Sequence, residues 1–194
     1  MIFRAIIFLL LSVFLVGCIQ NKNYIIKNTD FSVYNGIDFS ANKLVIQDNS
    51  NKEIRSPYID HLIQSNIKSN LKKWANARIQ TNSHDENIVK LIIKKASTKA
   101  FSLGQENNLE DIFTSKAALK IEIDVFIVVE IINSNNKKLA YVDIKIFKGK
   151  EFSENISLNE RDYYIQEMIN DTVNDFDSLA INKMKEIFIN YITF

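Results

Sequence analysis

The sequence predicts an α+β fold in which an antiparallel sheet of about four strands packs against two helices. Apolar and polar residues alternate over 119–132 and over 139–148, the period of half-buried strands. Apolar residues recur every three or four positions over 58–79 and over 158–191, the period of amphipathic helices. One proline and four glycines occur in 194 residues, so we expect long elements with few tight turns.

The first segment has the three parts of an export signal. Arg4 supplies a cation, residues 5–16 form an apolar run, and Gly17 is a small residue before Cys18. A membrane-spanning helix needs roughly 20 apolar residues, and this run is much shorter. We therefore predict that residues 1–17 are a cleaved signal peptide.

The stretch Leu15-Val16-Gly17-Cys18 resembles the lipobox of bacterial lipoproteins. The resemblance implies that the thiol of Cys18 is joined to diacylglycerol and that Cys18 becomes an acylated N-terminus. Two or three acyl chains hold a protein on a membrane almost permanently. The alternative is an ordinary secretory signal followed by a free cysteine.

The remaining chain is predicted to form one domain behind this anchor. Residues 18–42 are interpreted as the lipidated N-terminus and a tether that partly docks on the body, and residues 43–194 as a single α+β periplasmic domain. Cys18 is the one cysteine, which excludes disulfides and cysteine metal sites once it is lipidated. The 24 basic and 23 acidic side chains give a net charge of +1, which argues against nucleic acid as a partner.

The next elements are a short strand over 43–47 and a helix. Pro57 and Asp60 favour a helix start at Tyr58 or Asp60, with its end at Ile79. Its apolar stripe consists of Ile63, Ile67, Leu71, Trp74 and Ala75.

Three strands are predicted to follow, over 88–96, 119–132 and 139–148. The last two form a hairpin in which Val129 faces Val142 and Val125 faces Ile146, because a slip by one residue would set apolar residues against polar ones. The sheet then has one buried face and one mixed face. Ser157 and Glu160 form a capping box that opens a helix of some 30 residues. A continuous helix is favoured, and a bend near Asn174 to Ser178 is the alternative.

Catalytic and metal-binding residues are scarce. His61 and His84 lack metal-ligand spacing, so no metal or cofactor is expected, and no nucleophile elbow or phosphate-binding loop occurs. Glu122, Asp124 and Asp143 share the mixed face and are candidates for acid and base work. Cross-strand pairing with the lysines on that face is a sufficient explanation of them, and an enzymatic role is the weaker hypothesis.

The mixed face is also the main candidate binding surface. Phe126, Val128, Tyr141 and Phe147 stand there among charged residues, and exposed aromatic side chains mark interaction sites. The alternative is that the first helix or the connection over 99–116 covers them. That connection is unusually long and supplies a second candidate surface, formed by Phe101, Leu103 and Phe113.

Four stretches are similar to a group of uncharacterised alphaproteobacterial lipoproteins. They are Ser56-Pro57-Tyr58-Ile59-Asp60-His61, Trp74, Asp111-Ile112-Phe113-Thr114 and Ser157-Leu158-Asn159-Glu160-Arg161. The arrangement also resembles small envelope lipoproteins, namely the YajG family, the lipopolysaccharide-assembly lipoprotein and the auxiliary lipoproteins of ABC-type transporters. In such Gram-negative proteins, Ile19 after the lipidated cysteine implies transfer to the outer membrane, with the body facing the periplasm.

The leading hypothesis is a non-enzymatic envelope lipoprotein that binds another envelope protein or lipid. One alternative is a lipid-transport auxiliary subunit, which requires a groove between the helices and the sheet. The other is a periplasmic hydrolase that uses the three carboxylates.

Overall fold

A computed structural model describes residues 29–50, 52–82, 85–103, 118–153 and 156–193. It confirms the α+β class. The helices are α1 (Ile67–Arg78) and α2 (Leu158–Ile187). Short 3₁₀ turns occupy Phe31–Val33, Asp60–Leu62 and Ile189–Tyr191. The strands are β1 (Ile37–Phe39), β2 (Lys43–Asp48), β3 (Ile79–Thr81), β4 (Ile88–Ser102), β5 (Leu119–Ile132), β6 (Lys138–Phe152) and β7 (Ile192–Thr193).

The described strands form two mixed sheets, which corrects the prediction of one antiparallel sheet. The larger has the order β2-β4-β5-β6 and the smaller the order β3-β1-β7. β2 runs parallel to β4, and β1 runs parallel to β3. The chain between β2 and β4 passes through α1, and such a crossover returns the chain in its original direction. Alternation within a strand reports its buried face, not the direction of its partner.

The hairpin of β5 and β6 has the predicted register. Val129 faces Val142, and Val125 faces Ile146. The pairing shifts by one residue only near the turn, where Ile132 faces Lys138. The apolar row of each strand therefore lies on the same face of the sheet.

Strands β4 and β6 are longer than predicted, because both pair with β5 along its whole length. Leu119, the first residue of β5, faces Ser102 on one side and Phe152 on the other. Backbone pairing with β5 thus extends β4 and β6 beyond the residues over which apolar and polar side chains alternate.

Helix α1 begins later than predicted, at Ile67. The side chain of Asn66 caps it by accepting a hydrogen bond from the Ser69 backbone N–H at 3.0 Å. Asp60 instead accepts from the Thr98 backbone N–H, with both carboxylate oxygens at 3.0 Å. The segment predicted as the first turns of the helix is therefore tied to β4.

Helix α2 is continuous over 30 residues, as predicted, and Ser157 caps it by accepting from the Glu160 N–H at 3.2 Å. It runs antiparallel to β6. The Tyr164 ring stacks on Phe152 with centroids 5.8 Å apart, and Lys183 farther along donates to the Asp143 carbonyl at 3.1 Å. The helix covers the inner face of the sheet beside β6.

Part of the segment predicted as a tether packs on the body. Phe31, Ile37 and Phe39 are buried. The Phe39 ring meets Phe188 edge to face, with centroids 5.8 Å apart. β1 lies between β3 and β7, so residues from both ends of the described chain share one small sheet.

Candidate functional site

The four-stranded sheet presents an inner face to the helices and an outer face away from them. On β5, Val125, Ile127 and Val129 point inward and are buried. The alternate positions of β5 form the outer face together with their partners on β4 and β6. This outer face is the mixed face predicted from the sequence.

The four predicted outer-face residues differ in exposure. Val128 is buried, with 7% of its surface exposed, and Phe126 is half-buried. The Lys145 ammonium lies over the Phe126 ring, 4.6 Å from its centroid. Tyr141 and Phe147, both on β6, are 55% and 62% exposed. The two residues on β6 are therefore the ones available to a partner.

A shallow depression of about 440 Å³ lies on this face between β5 and β6. Phe126 and Phe147 supply apolar surface to it, and Lys95, Lys145 and Asp124 supply charge. Two lysines line the depression, and one of them, Lys95, forms an ion pair with Asp124. The other, Lys145, takes part in none of the ion pairs found among the described residues. The depression is suited to a ligand that has an apolar part next to a negatively charged group.

The second candidate surface is only partly described. Phe101 lies at the end of β4 opposite Lys120 and is half-buried. Leu103 follows it and is 50% exposed. Phe113 lies outside the described residues.

The three candidate carboxylates do not form a cluster. Glu122 pairs with Lys120 at 2.9 Å, and Asp124 pairs with Lys95. Asp143 faces Val128 on β5, four residues beyond Asp124 and therefore about 13 Å along the strand. An acid and a base that share one substrate must both reach it, and this arrangement does not bring the three together.

One of the two histidines lies within the described residues. His61 is exposed in the 3₁₀ turn Asp60–Leu62, and His84 lies outside the described residues. Within the described ranges, three or more histidine, cysteine or carboxylate side chains nowhere converge as a metal site would require. In the same ranges, neither helix combines the length and the apolar content needed to cross a bilayer.

A buried polar network between the helices was not found from the sequence. Asp177 on α2 accepts hydrogen bonds from the Trp74 indole and the Arg78 Nε, both at 2.7 Å. Arg78 also donates to the Asn35 carbonyl and lies over the Tyr34 ring, 5.3 Å from its centroid. The network joins α1, α2 and the N-terminal segment. A tryptophan four residues before an arginine was the available signal, but the sequence did not identify Asp177 as the partner.

Besides Asp162 on α2, whose pKa is raised by burial, two carboxylates have shifted pKa values. Burial raises the pKa of Asp60, although the hydrogen bonds from Thr98 oppose this shift. Partial burial also acts to raise the pKa of Asp48, but hydrogen bonds from Ser50 and Lys72 outweigh it and lower the pKa to about 2. Both groups anchor loops and helices to the sheet, and neither lies on the outer face.

No protein-family model matches this chain, and no curated protein matches it. Two solved structures similar to it are bacterial lipoproteins. A minor lipoprotein from Acinetobacter baumannii is 13% identical with a TM-score of 0.36, and the match covers 78% of this chain and 93% of that one. Rare lipoprotein B from Shewanella oneidensis is 14% identical with a TM-score of 0.31, and the match covers 74% and 98%.

Proposed function

We propose that this chain is a lipid-anchored lipoprotein of the bacterial cell envelope that binds another envelope component and catalyses no reaction. The outer face of the four-stranded sheet is its binding surface. The observation that carries the proposal is the exposure of Tyr141 and Phe147, at 55% and 62%, beside the depression that contains Phe126 and Lys145.

The anchor is proposed from the sequence around Cys18. A short apolar leader ends in Leu15-Val16-Gly17-Cys18, and acyl chains on Cys18 would hold the body beside a membrane. Ile19 would direct the mature protein to the outer membrane, with the sheet facing the periplasm.

The binding surface is proposed from its chemistry. Tyrosine and phenylalanine side chains bury a large area while losing few rotatable bonds, and they are enriched where proteins bind one another. Lys145 adds a positive charge close to Phe147. A partner with an apolar group next to a carboxylate or a phosphate would match both features.

Mass spectrometry of the chain purified from Gram-negative cells tests the anchor. We expect the loss of residues 1–17 and a mass increase at Cys18 that corresponds to a diacylglyceryl group and a further acyl chain. The Cys18→Ser variant should keep its leader and lack both modifications. Wild-type protein that retains Met1, or that carries an unmodified Cys18, would contradict the proposal.

Photo-cross-linking in intact cells tests the binding surface. A photoreactive amino acid placed at Tyr141 or at Phe147 should capture one and the same envelope component, different from a second copy of this chain. Ile189, which is 52% exposed on a different part of the molecule, is the matched control and should not capture it. Equal capture from all three positions would contradict a binding role for the outer face.

A second candidate is an auxiliary lipoprotein of a lipid or ABC-type transport system. It is favoured by a cleft of about 410 Å³ between β6 and α2, lined by Met168, Lys148 and Lys150 among others. Organic extraction of the purified protein distinguishes the two functions. A bound lipid at close to one equivalent, lost in the Met168→Asp variant but retained in Tyr141→Ser, would favour the transport role.

A further inference from the structure

Strand β6 is an edge of the four-stranded sheet. It pairs with β5 on one side, and no other strand in the described ranges pairs with its second side. The strand is 15 residues long and contains no proline. A long edge strand presents unpaired backbone N–H and C=O groups that can bind a further strand.

We propose that β6 pairs with β6 of a second copy of this chain, in antiparallel orientation, with the two-fold axis at Ile144. The result is a continuous eight-stranded sheet across two chains. The inference goes beyond the proposed function and does not depend on the lipid anchor. It brings Tyr141, Phe147 and Lys145 of the proposed binding surface next to the second copy, with their side chains on the outer face of the continuous sheet.

The geometry of a two-fold axis limits the possible registers. Residues directly opposite each other in an antiparallel pair point to the same face of the sheet. Because side chains alternate between faces, each residue must face one of the same parity. The axis must therefore pass through a residue of β6 and not between two residues.

Among the three central positions 143, 144 and 145, the side chains favour an axis at Ile144. With the axis at Ile144, Asp143 of each copy faces Lys145 of the other, which gives two opposite-charge pairs. Tyr141 of each copy faces Phe147 of the other, which gives two aromatic pairs. An axis at Asp143 or at Lys145 would instead set two like charges directly opposite each other, which is destabilising.

The side-chain pairs on the inner face are also compatible with an axis at Ile144. Ile144 faces its own copy, and Val142 faces Ile146, so the centre is apolar on that side. The like-charge contacts, Lys138 of each copy with Lys150 of the other, lie at the two ends of the overlap, where the pairing in each copy already shifts by one residue. In each copy Lys138 already pairs with Glu130, and the ammonium of Lys150 lies 4.9 Å from the Tyr164 ring centroid.

One contact of the single chain must be given up. Lys183 on α2 donates to the carbonyl oxygen of Asp143 at 3.1 Å. Such a lysine at a sheet edge disfavours pairing with other strands. The side chain is partly exposed and long enough to move into solvent, so it weakens the dimer without preventing it.

Sedimentation equilibrium of the full chain in detergent, up to about 100 μM protein, tests this inference. We expect a dimer for the wild type. Asp143→Lys and Lys145→Asp should each raise the dissociation constant by roughly ten- to a hundredfold, because two attractive pairs become repulsive together. The double variant D143K/K145D restores opposite charges and should restore the dimer.

Controls separate this dimer from two lipidated chains that share one micelle. Lys73→Glu reverses an exposed charge on α1 and should leave the dimer unchanged, while Lys183→Met should strengthen it. Thermal unfolding verifies that each variant is folded. A wild type that stays monomeric at the highest concentration, or a dimer that is insensitive to Asp143→Lys, would overturn the inference, whatever envelope component the outer face binds.

Discussion

The two faces of the four-stranded sheet are built from the same strands, yet different forces hold their side chains in place. On the inner face, Ile121, Ile123 and Ile127 are fully buried. On the outer face, charged residues mostly pair with one another, as in the ion pair of Lys95 with Asp124. A fully buried aliphatic side chain contributes about 1.5–3 kcal/mol, whereas an exposed cross-strand pair contributes about 0.2–1 kcal/mol. The inner face therefore determines stability, and the outer face can change with little loss of it.

The largest effect is expected from an inner aromatic residue. Phe176 is fully buried and meets the Trp74 ring edge to face, with centroids 4.7 Å apart. Phe176→Ala should lower the free energy of unfolding by about 4 kcal/mol, through lost burial and the cavity that remains. Urea denaturation followed by tryptophan fluorescence measures it. A loss below about 1 kcal/mol would contradict the importance assigned to this contact.

Breaking an ion pair should likewise cost more stability where the pair is buried than where it is exposed. The pair of Arg78 with Asp177 is largely buried, with 8% and 15% of the side chains exposed. Asp177→Asn should cost about 3 kcal/mol, because it leaves a buried guanidinium without its carboxylate. Asp175 also pairs with a lysine, Lys148, but is 60% exposed, and Asp175→Asn should cost less than about 1 kcal/mol. Equal losses in urea denaturation would remove the distinction between the two sites.

The Asp48 carboxylate should make an intermediate contribution to the free energy of unfolding, and this contribution should depend on pH. Its pKa is lowered to about 2 from an ordinary 3.8, so the folded state favours the charged carboxylate. This stabilisation is present above pH 3.8 and is lost as the pH falls through the folded-state pKa. Asp48→Asn should therefore cost about 1 kcal/mol at pH 7, after allowance for screening by water.

The pH series provides its own control for Asp48. The difference in unfolding free energy between the wild type and Asp48→Asn should shrink as the pH is lowered toward 2. A difference that stays constant over this range would mean that Ser50 and Lys72 do not stabilise the charge.

The smallest effect is expected on the outer face. Phe147→Ser should change the unfolding free energy by less than about 0.5 kcal/mol, because the side chain is already 62% exposed. Ile144, three residues away on the same strand and fully buried, is the inner control, and Ile144→Ala should cost about 3 kcal/mol. If the Phe147 variant is as unstable as the Ile144 variant, Phe147 belongs to the core and not to a binding surface.

The sequence predicted those elements whose pattern is set by burial alone. The bounds of β5, the register of the hairpin and the continuous helix α2 follow from alternation, helical periodicity and the Ser157 cap. The parallel pairing of β2 was missed, because alternation carries no information about direction. The short strands β1, β3 and β7 have two or three residues each, too few for any period to appear.

The sequence predicted which face of the sheet holds the candidate site, but not which of its side chains are exposed. Parity placed Phe126, Val128, Tyr141 and Phe147 on one face, and the register agrees. Their exposure depends on the order of strands in the sheet. Phe126 and Val128 lie on β5, which has a neighbour on each side, whereas Tyr141 and Phe147 lie on an edge strand. Strand order is a tertiary property that no single strand encodes.

The small sheet has a consequence for the order of events during biosynthesis. In it, Phe39 pairs with Ile192, so two residues separated by most of the polypeptide must meet. A chain synthesised from its N-terminus cannot close this sheet until the segment around Ile192 has been made. Until then the rings of Phe39 and Phe188 cannot pack on each other, so the incomplete chain exposes two aromatic side chains that the finished fold buries.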